Sequence, residues 1–193
     1  MQKREFLARS AGAAAGLAFL LAGCTTTPMS SKPEDKVSKH QRIDDDVNAT
    51  LDRLYSTVKG AHELAGKARG MLVFPSVLAA GFVVGGEYGE GALRVGGKTV
   101  DYYSTLTGSF GLQIGAQSKA IIFLFMTEEA LNTFRRSEGW TAGVDASVAV
   151  VNIGANGAID LNTATKPVNV IIMTNKGLMA NLSVEGTKVT KLK

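Results

Sequence analysis

The stretch Gly91-Ala92-Leu93-Arg94-Val95-Gly96-Gly97-Lys98-Thr99 is the part of the chain that comes nearest to a known chemical device, the phosphate-binding loop. That loop needs four residues between its first glycine and the Gly-Lys-Thr end, and a following helix whose N-terminus adds to the phosphate field. Here five residues intervene and the flanks read as strand on both sides. The stretch is therefore read as a hairpin turn. Gly85, Gly86, Gly89 and Gly91 likewise lack the helix that a dinucleotide fingerprint requires after its glycines.

Other chemistry has little to draw on. His40 and His62 are the only histidines and both fall in helical sequence, so no metal site and no cofactor are expected. Ser104 and Ser109 have no histidine near them to act as base. Glu87, Glu90 and Asp101 could serve as an acid/base set only if a cleft joined them; acids beside turn glycines are read as exposed, and the chain as non-enzymatic. Glu87, Tyr88, Tyr102 and Tyr103 form a candidate ligand or partner surface, with edge or core aromatics of a sheet as the plainer reading of the tyrosines. The net charge of +4 comes from scattered lysines without a basic run, which argues against nucleic acid as a partner.

Lys3 and Arg4 precede an apolar run from Ala11 to Leu21, which leads into Leu21-Ala22-Gly23-Cys24. This is the pattern of a secretory signal with a lipoprotein ending. Residues 1–23 are read as a signal peptide and the sole cysteine, Cys24, as the lipidation site. The run is too short for a membrane span, which needs about 20 apolar residues. Without its first 23 residues the chain loses three cations and one anion, leaving +2. Thr25 rather than Asp follows the cysteine, as in bacterial lipoproteins sorted to the outer membrane, and the periplasmic side is expected. Residues 24–37, polar and with Pro28 and Pro33, read as a tether, and 38–193 as the domain.

The elements that must position these residues follow in order. Apolar residues at steps of three and four from Ile43 to Ala68 predict an amphipathic helix that Gly60 kinks or divides. Ten of the 22 glycines then lie between Gly81 and Gln117, among Val, Leu, Phe and Tyr, and predict strands with tight turns or close approach. Expected strands are Met71–Phe74, stopped by Pro75, then Leu78–Val84, Gly89–Val95, Thr99–Tyr103, Ser109–Gly115 and Ala120–Met126. Thr127 caps a short helix, and Trp140 opens a second β group: Val144–Ile153, Ala158–Leu161, Val168–Met173, Leu178–Val184 and Lys188–Leu192. The fold class is α+β: an N-terminal amphipathic helix on a curved, mainly antiparallel sheet or partial barrel of about ten short strands, with one short inserted helix.

Four segments, Ala65 to Pro75, Ala80 to Gly91, Gly111 to Gln117 and Lys176-Gly177-Leu178, together resemble the SYLF domain family over roughly residues 48 to 190. The resemblance implies a lipid-binding domain, directed to phosphoinositides and associated with actin in eukaryotic members and carried by exported lipoproteins in bacteria. Many members have a Trp-Ser-Ala-Pro segment where Val100-Asp101-Tyr102-Tyr103 stands here. The expected function is thus a lipid-anchored envelope protein that binds anionic phospholipid head groups through Lys59, Lys67, Arg69, Arg94 and Lys98. The alternative is a protein-interaction module of the envelope that uses lipid only as an anchor. Cys24→Ser should move the protein from the membrane pellet to the soluble fraction and abolish incorporation of labelled palmitate; label retained by the variant would refute lipidation at this residue.

Overall fold

The computed structural model describes residues 33–81, 84–110, 117–154, 156–161, 164–174, 177–178 and 183–193. Residues 1–23, Cys24 and most of the tether lie outside them, as do the 111–115 end of one expected strand and most of the turn and strand expected at 175–182.

Helix α1, Pro33–Thr57, buries Ile43, Val47, Leu51 and Leu54 along one side, the stripe that its periodicity predicts. Gly60, at φ 84, takes the left-handed conformation that glycine adopts freely, and α2, Ala61–Lys67, follows it. The joint is clasped from outside: the Lys59 amide donates to the Gly157 carbonyl at 2.9 Å, and the Ile159 amide donates to the Lys59 carbonyl at 3.0 Å. Helix α3, Glu128–Arg136, starts as expected at Thr127, whose hydroxyl accepts from the Ala130 amide at 3.2 Å.

Among the described residues nine strands form one sheet: β1 Gly70–Gly81, β2 Val84–Val95, β3 Lys98–Phe110, β4 Gln117–Phe125, β5 Trp140–Thr141, β6 Val148–Val150, β7 Val168–Thr174, β8 Gly177–Leu178 and β9 Lys188–Lys191. The order is β5-β9-β3-β2-β1-β4-β7-β6, with β8 on β7, and every pairing is antiparallel except β6 with β7. Among the described residues the terminal strands β5 and β6 do not pair, and the curled sheet is a half-barrel.

Both faces of the sheet are covered. In β4, Ile121, Phe123 and Phe125 enter a core with Phe134 of α3 and Trp140, while Ala120, Ile122 and Leu124 enter a second core beneath α1 and α2. Period-two alternation with every position apolar is the pattern of a strand buried on both sides.

The structure revises several strand limits. Pro75 does not stop a strand: β1 runs through it as a central strand between β2 and β4. Its register shifts between Val73 and Ser76 against β2, and between Phe74 and Val77 against β4, so proline sits in a bulge where neither ladder needs its missing N–H. The bulge also explains why Leu72, Phe74 and Val77 share one core although the last two are three residues apart. Residues 85–88, expected as a connection, lie within β2 and pair with both neighbours, and β3 is one strand where two were expected. Of Val144–Ile153 only Val148–Val150 is strand, and Ala158–Leu161 forms isolated bridges at Ala158 and Ile159.

Gly89 and Gly91 face the bulge. A Cβ on Gly91 would fall against the Val73 carbonyl oxygen and 2.8 Å from a ring carbon of Phe74; one on Gly89 would lie 2.8 Å from the Ser76 carbonyl oxygen. Gly91→Ala should therefore cost about 1–3 kcal/mol, because a backbone oxygen cannot rotate away. Gly66→Ala, with nothing within 4 Å, should gain about 0.5–1 kcal/mol from helix propensity. Urea unfolding midpoints measure both, and equal shifts for the two variants would refute the close-approach account.

Candidate functional site

The register that pairs Met71 with Arg94 brings the end of α2 beside the β2–β3 hairpin. That hairpin turns on Gly96 and Gly97, at φ 58 and 78, between the paired Val95 and Lys98. Positive φ at both central positions is the requirement of the two-residue turn whose twist matches its strands, so these glycines shape backbone. Between α2 and the hairpin lies a cleft of about 260 Å³ whose walls include Tyr55, His62, Arg69, Met71, Arg94 and the two glycines. Among the described residues no carboxylate lines it.

The five expected head-group cations are placed differently from one another. Arg94 is held by α1: its Nη2 donates to Asn48 Oδ1 at 2.7 Å, its Nη1 to the Gly97 carbonyl at 3.3 Å, and Asp44 stands 3.8 Å away. Its Nε is buried with no hydrogen-bond partner among the described residues. Arg69 anchors its backbone amide on the Phe125 carbonyl at 2.7 Å, while its mostly exposed guanidinium stands 3.8 Å from Glu128. Lys67 makes an exposed pair with Glu63 one helical turn back at 2.7 Å, an attachment of small strength that another anion can displace. Lys98 follows the hairpin turn, exposed and without an ion pair among the described residues. Lys59 is exposed at the α1–α2 joint and does not line the cleft.

The candidate partner surface separates into three environments. Tyr103 is a core residue, 2% exposed, with its ring centroid 4.9 Å from that of Phe134; burial, then the charge of Asp101, pushes its phenol up to about 12. Tyr102 belongs to the docking of α1: His40 stacks on it at 3.8 Å and 8°, and its hydroxyl donates to Asp44 Oδ2 at 2.8 Å. Desolvation, then that hydrogen bond, raises it to about 12. Tyr88 is 50% exposed and donates to Glu90 Oε1 at 2.6 Å, and desolvation followed by that bond also raises it to about 12.

Glu87 and Glu90, three apart on a regular stretch of β2, face opposite sides of the sheet. Glu87 is buried and pairs with Lys119 at 2.7 Å; Glu90 pairs with Lys39 at 2.7 Å. No cleft joins them, and the acid/base reading has no geometry to stand on. Sequence reasoning missed His62 and Tyr55 in the cleft and Lys39 and Lys119 as the partners of these carboxylates. His62 and Lys67 are basic residues of one short helix, a weak signal; the lysine partners lie 51 and 32 positions away from their acids and left none.

A phenol whose folded pKa exceeds its usual 10 prefers to stay neutral in the fold. The stability it contributes is intact below pH 10 and is lost as pH rises toward about 12. Phenolate absorbance in the native protein should therefore lag the guanidinium-unfolded chain between pH 10 and 12, and the unfolding midpoint should fall over the same range. Native and unfolded titration curves that coincide would contradict the packing of these rings.

Residues 106–193 match a family model described as Ysc84, Las17-binding protein actin regulator. Protein YSC84 of Saccharomyces cerevisiae is 27% identical over 130 residues, an alignment that covers 64% of this chain and 28% of that protein. The alignment thus takes in a little over a quarter of that relative's length. The chain is thus similar to the Ysc84/SYLF domain family over residues 106–193, with distant similarity to the yeast protein.

Proposed function

We propose that this chain is a non-catalytic, lipid-anchored envelope protein whose domain binds anionic phospholipid head groups at the cleft between α2 and the β2–β3 hairpin. The observation that carries the reading is the composition of that cleft: His62, Arg69 and Arg94 line it and no acid among the described residues does, while Lys67 lies on the adjoining helix and Lys98 follows the hairpin turn. The Nε–H of Arg94 lacks a partner among the described residues, and a phosphate oxygen is the kind of acceptor it needs. Gly96 and Gly97 keep the hairpin wall free of side chains, so a head group can approach the backbone. The neighbouring α1 holds Arg94 in place, which lowers the ordering cost of binding.

Lipidation at Cys24 would keep the domain beside a bilayer, on the periplasmic side of the outer membrane. The description attached to the family, Las17-binding protein actin regulator, is said of that family; what is carried over here is a binding role toward lipid.

Each basic residue near an anionic surface contributes about 1 kcal/mol. A soluble form spanning the compact unit Lys32–Lys193 should float with vesicles containing phosphatidylglycerol and remain unbound with phosphatidylcholine alone. Arg69→Glu with Lys98→Glu should weaken flotation by more than about tenfold, and added salt should do the same. Equal flotation with both vesicle types, or none with either, would end the head-group reading.

A further inference from the structure

A second concavity lies on the helix side of the sheet, near the other end of α1. It is a groove of about 450 Å³, a size in the range of small-molecule sites, between one stripe of α1 and the bulged part of β1 with its β2 neighbour. The floor is apolar: Pro75, Leu78 and Tyr88, with Leu78 54% and Tyr88 50% exposed. Leu78 pairs in register with Tyr88, and Tyr88 with Leu106, which is 59% exposed, so the floor continues as an apolar row across three strands. Large apolar side chains directly opposite one another and open to solvent mark a surface that something covers.

The helical wall says what. Of its charges, Lys39 is taken by Glu90 at 2.7 Å. Arg42 and Asp46 are exposed, and neither has an ion-pair partner among the described residues. They stand one turn apart on the same side of α1, where i and i+4 side chains emerge about 5–6 Å from each other. This wall has one free cation and one free anion, unlike the acid-free cleft at the other end. An anionic ligand would meet Asp46 unpaired; an apolar one would leave both charges idle.

We propose that this groove binds a zwitterionic lipid of the phosphoethanolamine type, its phosphate on Arg42, its ammonium on Asp46 and an acyl chain along Leu78, Tyr88 and Leu106. The guanidinium offers paired N–H donors to phosphate oxygens. The ammonium brings N–H donors to the Asp46 carboxylate, and the ethylene spacer between the two head-group charges suits a pair of side chains one helical turn apart. The site is independent of the anionic cleft and needs none of its residues.

The test uses the full chain carrying Cys24→Ser and single-chain lipids below their micelle concentration, followed by isothermal titration. Lysophosphatidylethanolamine should bind saturably, and lysophosphatidylcholine, equally zwitterionic but with a quaternary ammonium that has no N–H to donate, about tenfold more weakly. Asp46→Asn should bring the first lipid down to the level of the second, and Leu78→Glu, on an exposed position that the fold does not need, should abolish binding of both. Arg69→Glu should leave lysophosphatidylethanolamine binding unchanged. Equal affinity of the wild-type chain for the two lipids, indifference to Asp46→Asn, absence of saturable binding, or loss of binding in Arg69→Glu instead of Leu78→Glu would each overturn the proposal, the last by placing the ligand in the cleft.

Discussion

The close approach of β2 to the bulge in β1 is the constraint on which the rest of the molecule depends. β1 is central, pairs on both sides and carries a proline, which is tolerable only where the ladder skips a residue. Skipping one residue reverses the side-chain alternation, and β1 uses this to keep Leu72, Phe74 and Val77 in a single core. The extra residue pushes the Val73 and Ser76 carbonyls toward β2, and only glycine leaves room for them at 89 and 91. A side chain at either position would part the two strands whose pairing also sets Arg94 beside α2.

With the sheet fixed, α1 docks by polar contacts over an apolar base. Asp44 accepts from Thr99 at 2.6 Å and from Tyr102 at 2.8 Å, and Asn48 accepts from Arg94 at 2.7 Å. Such bonds contribute only about 0.5–1.5 kcal/mol each, less than the burial of Val47, Leu51 and Leu54 beneath them. Their effect is on register: they determine which turn of α1 faces which strand, and so where the helix ends relative to the hairpin. The Glu87–Lys119 pair on the opposite face has a similar character. A buried ion pair seldom adds much net stability, but it strongly penalises arrangements that leave one partner alone.

What could be read from the sequence was what depends on local rules. The stripe from Ile43, the break at Gly60, the cap at Thr127 and the turn at Gly96-Gly97 each follow from residues within a few positions of one another. Pro75 misled because its local meaning is to end a strand, and only pairing partners at 90–92 and 119–121 show that it occupies a bulge. The glycine density was legible as a feature but not as a cause: Gly96 and Gly97 serve φ, whereas Gly89 and Gly91 serve space. The basic cleft was half legible. Lys67 and Arg69 stood out near a helix end, but their meeting with Arg94 depends on a strand pairing, and nothing local reveals that Arg94 and Tyr102 are already engaged by α1.

One helix thus borders both concavities, and their difference in charge follows from how it is used. On one face α1 turns Asp44 and Asn48 onto the β2–β3 strands, so that acid is consumed in holding Arg94 and the cleft beyond shows Arg69 and Arg94. On the neighbouring face Lys39 is drawn inward by Glu90, and Arg42 and Asp46 stay outside in balance. The sheet supplies the other distinction. At the cleft it presents a bare glycine turn suited to a polar group, and at the groove it presents Leu78, Tyr88 and Leu106, which cannot be satisfied by water. As proposed, a domain held at a bilayer would then meet lipid in two chemically separate ways, by charge at one end of the helix and by a matched ion pair over apolar surface at the other.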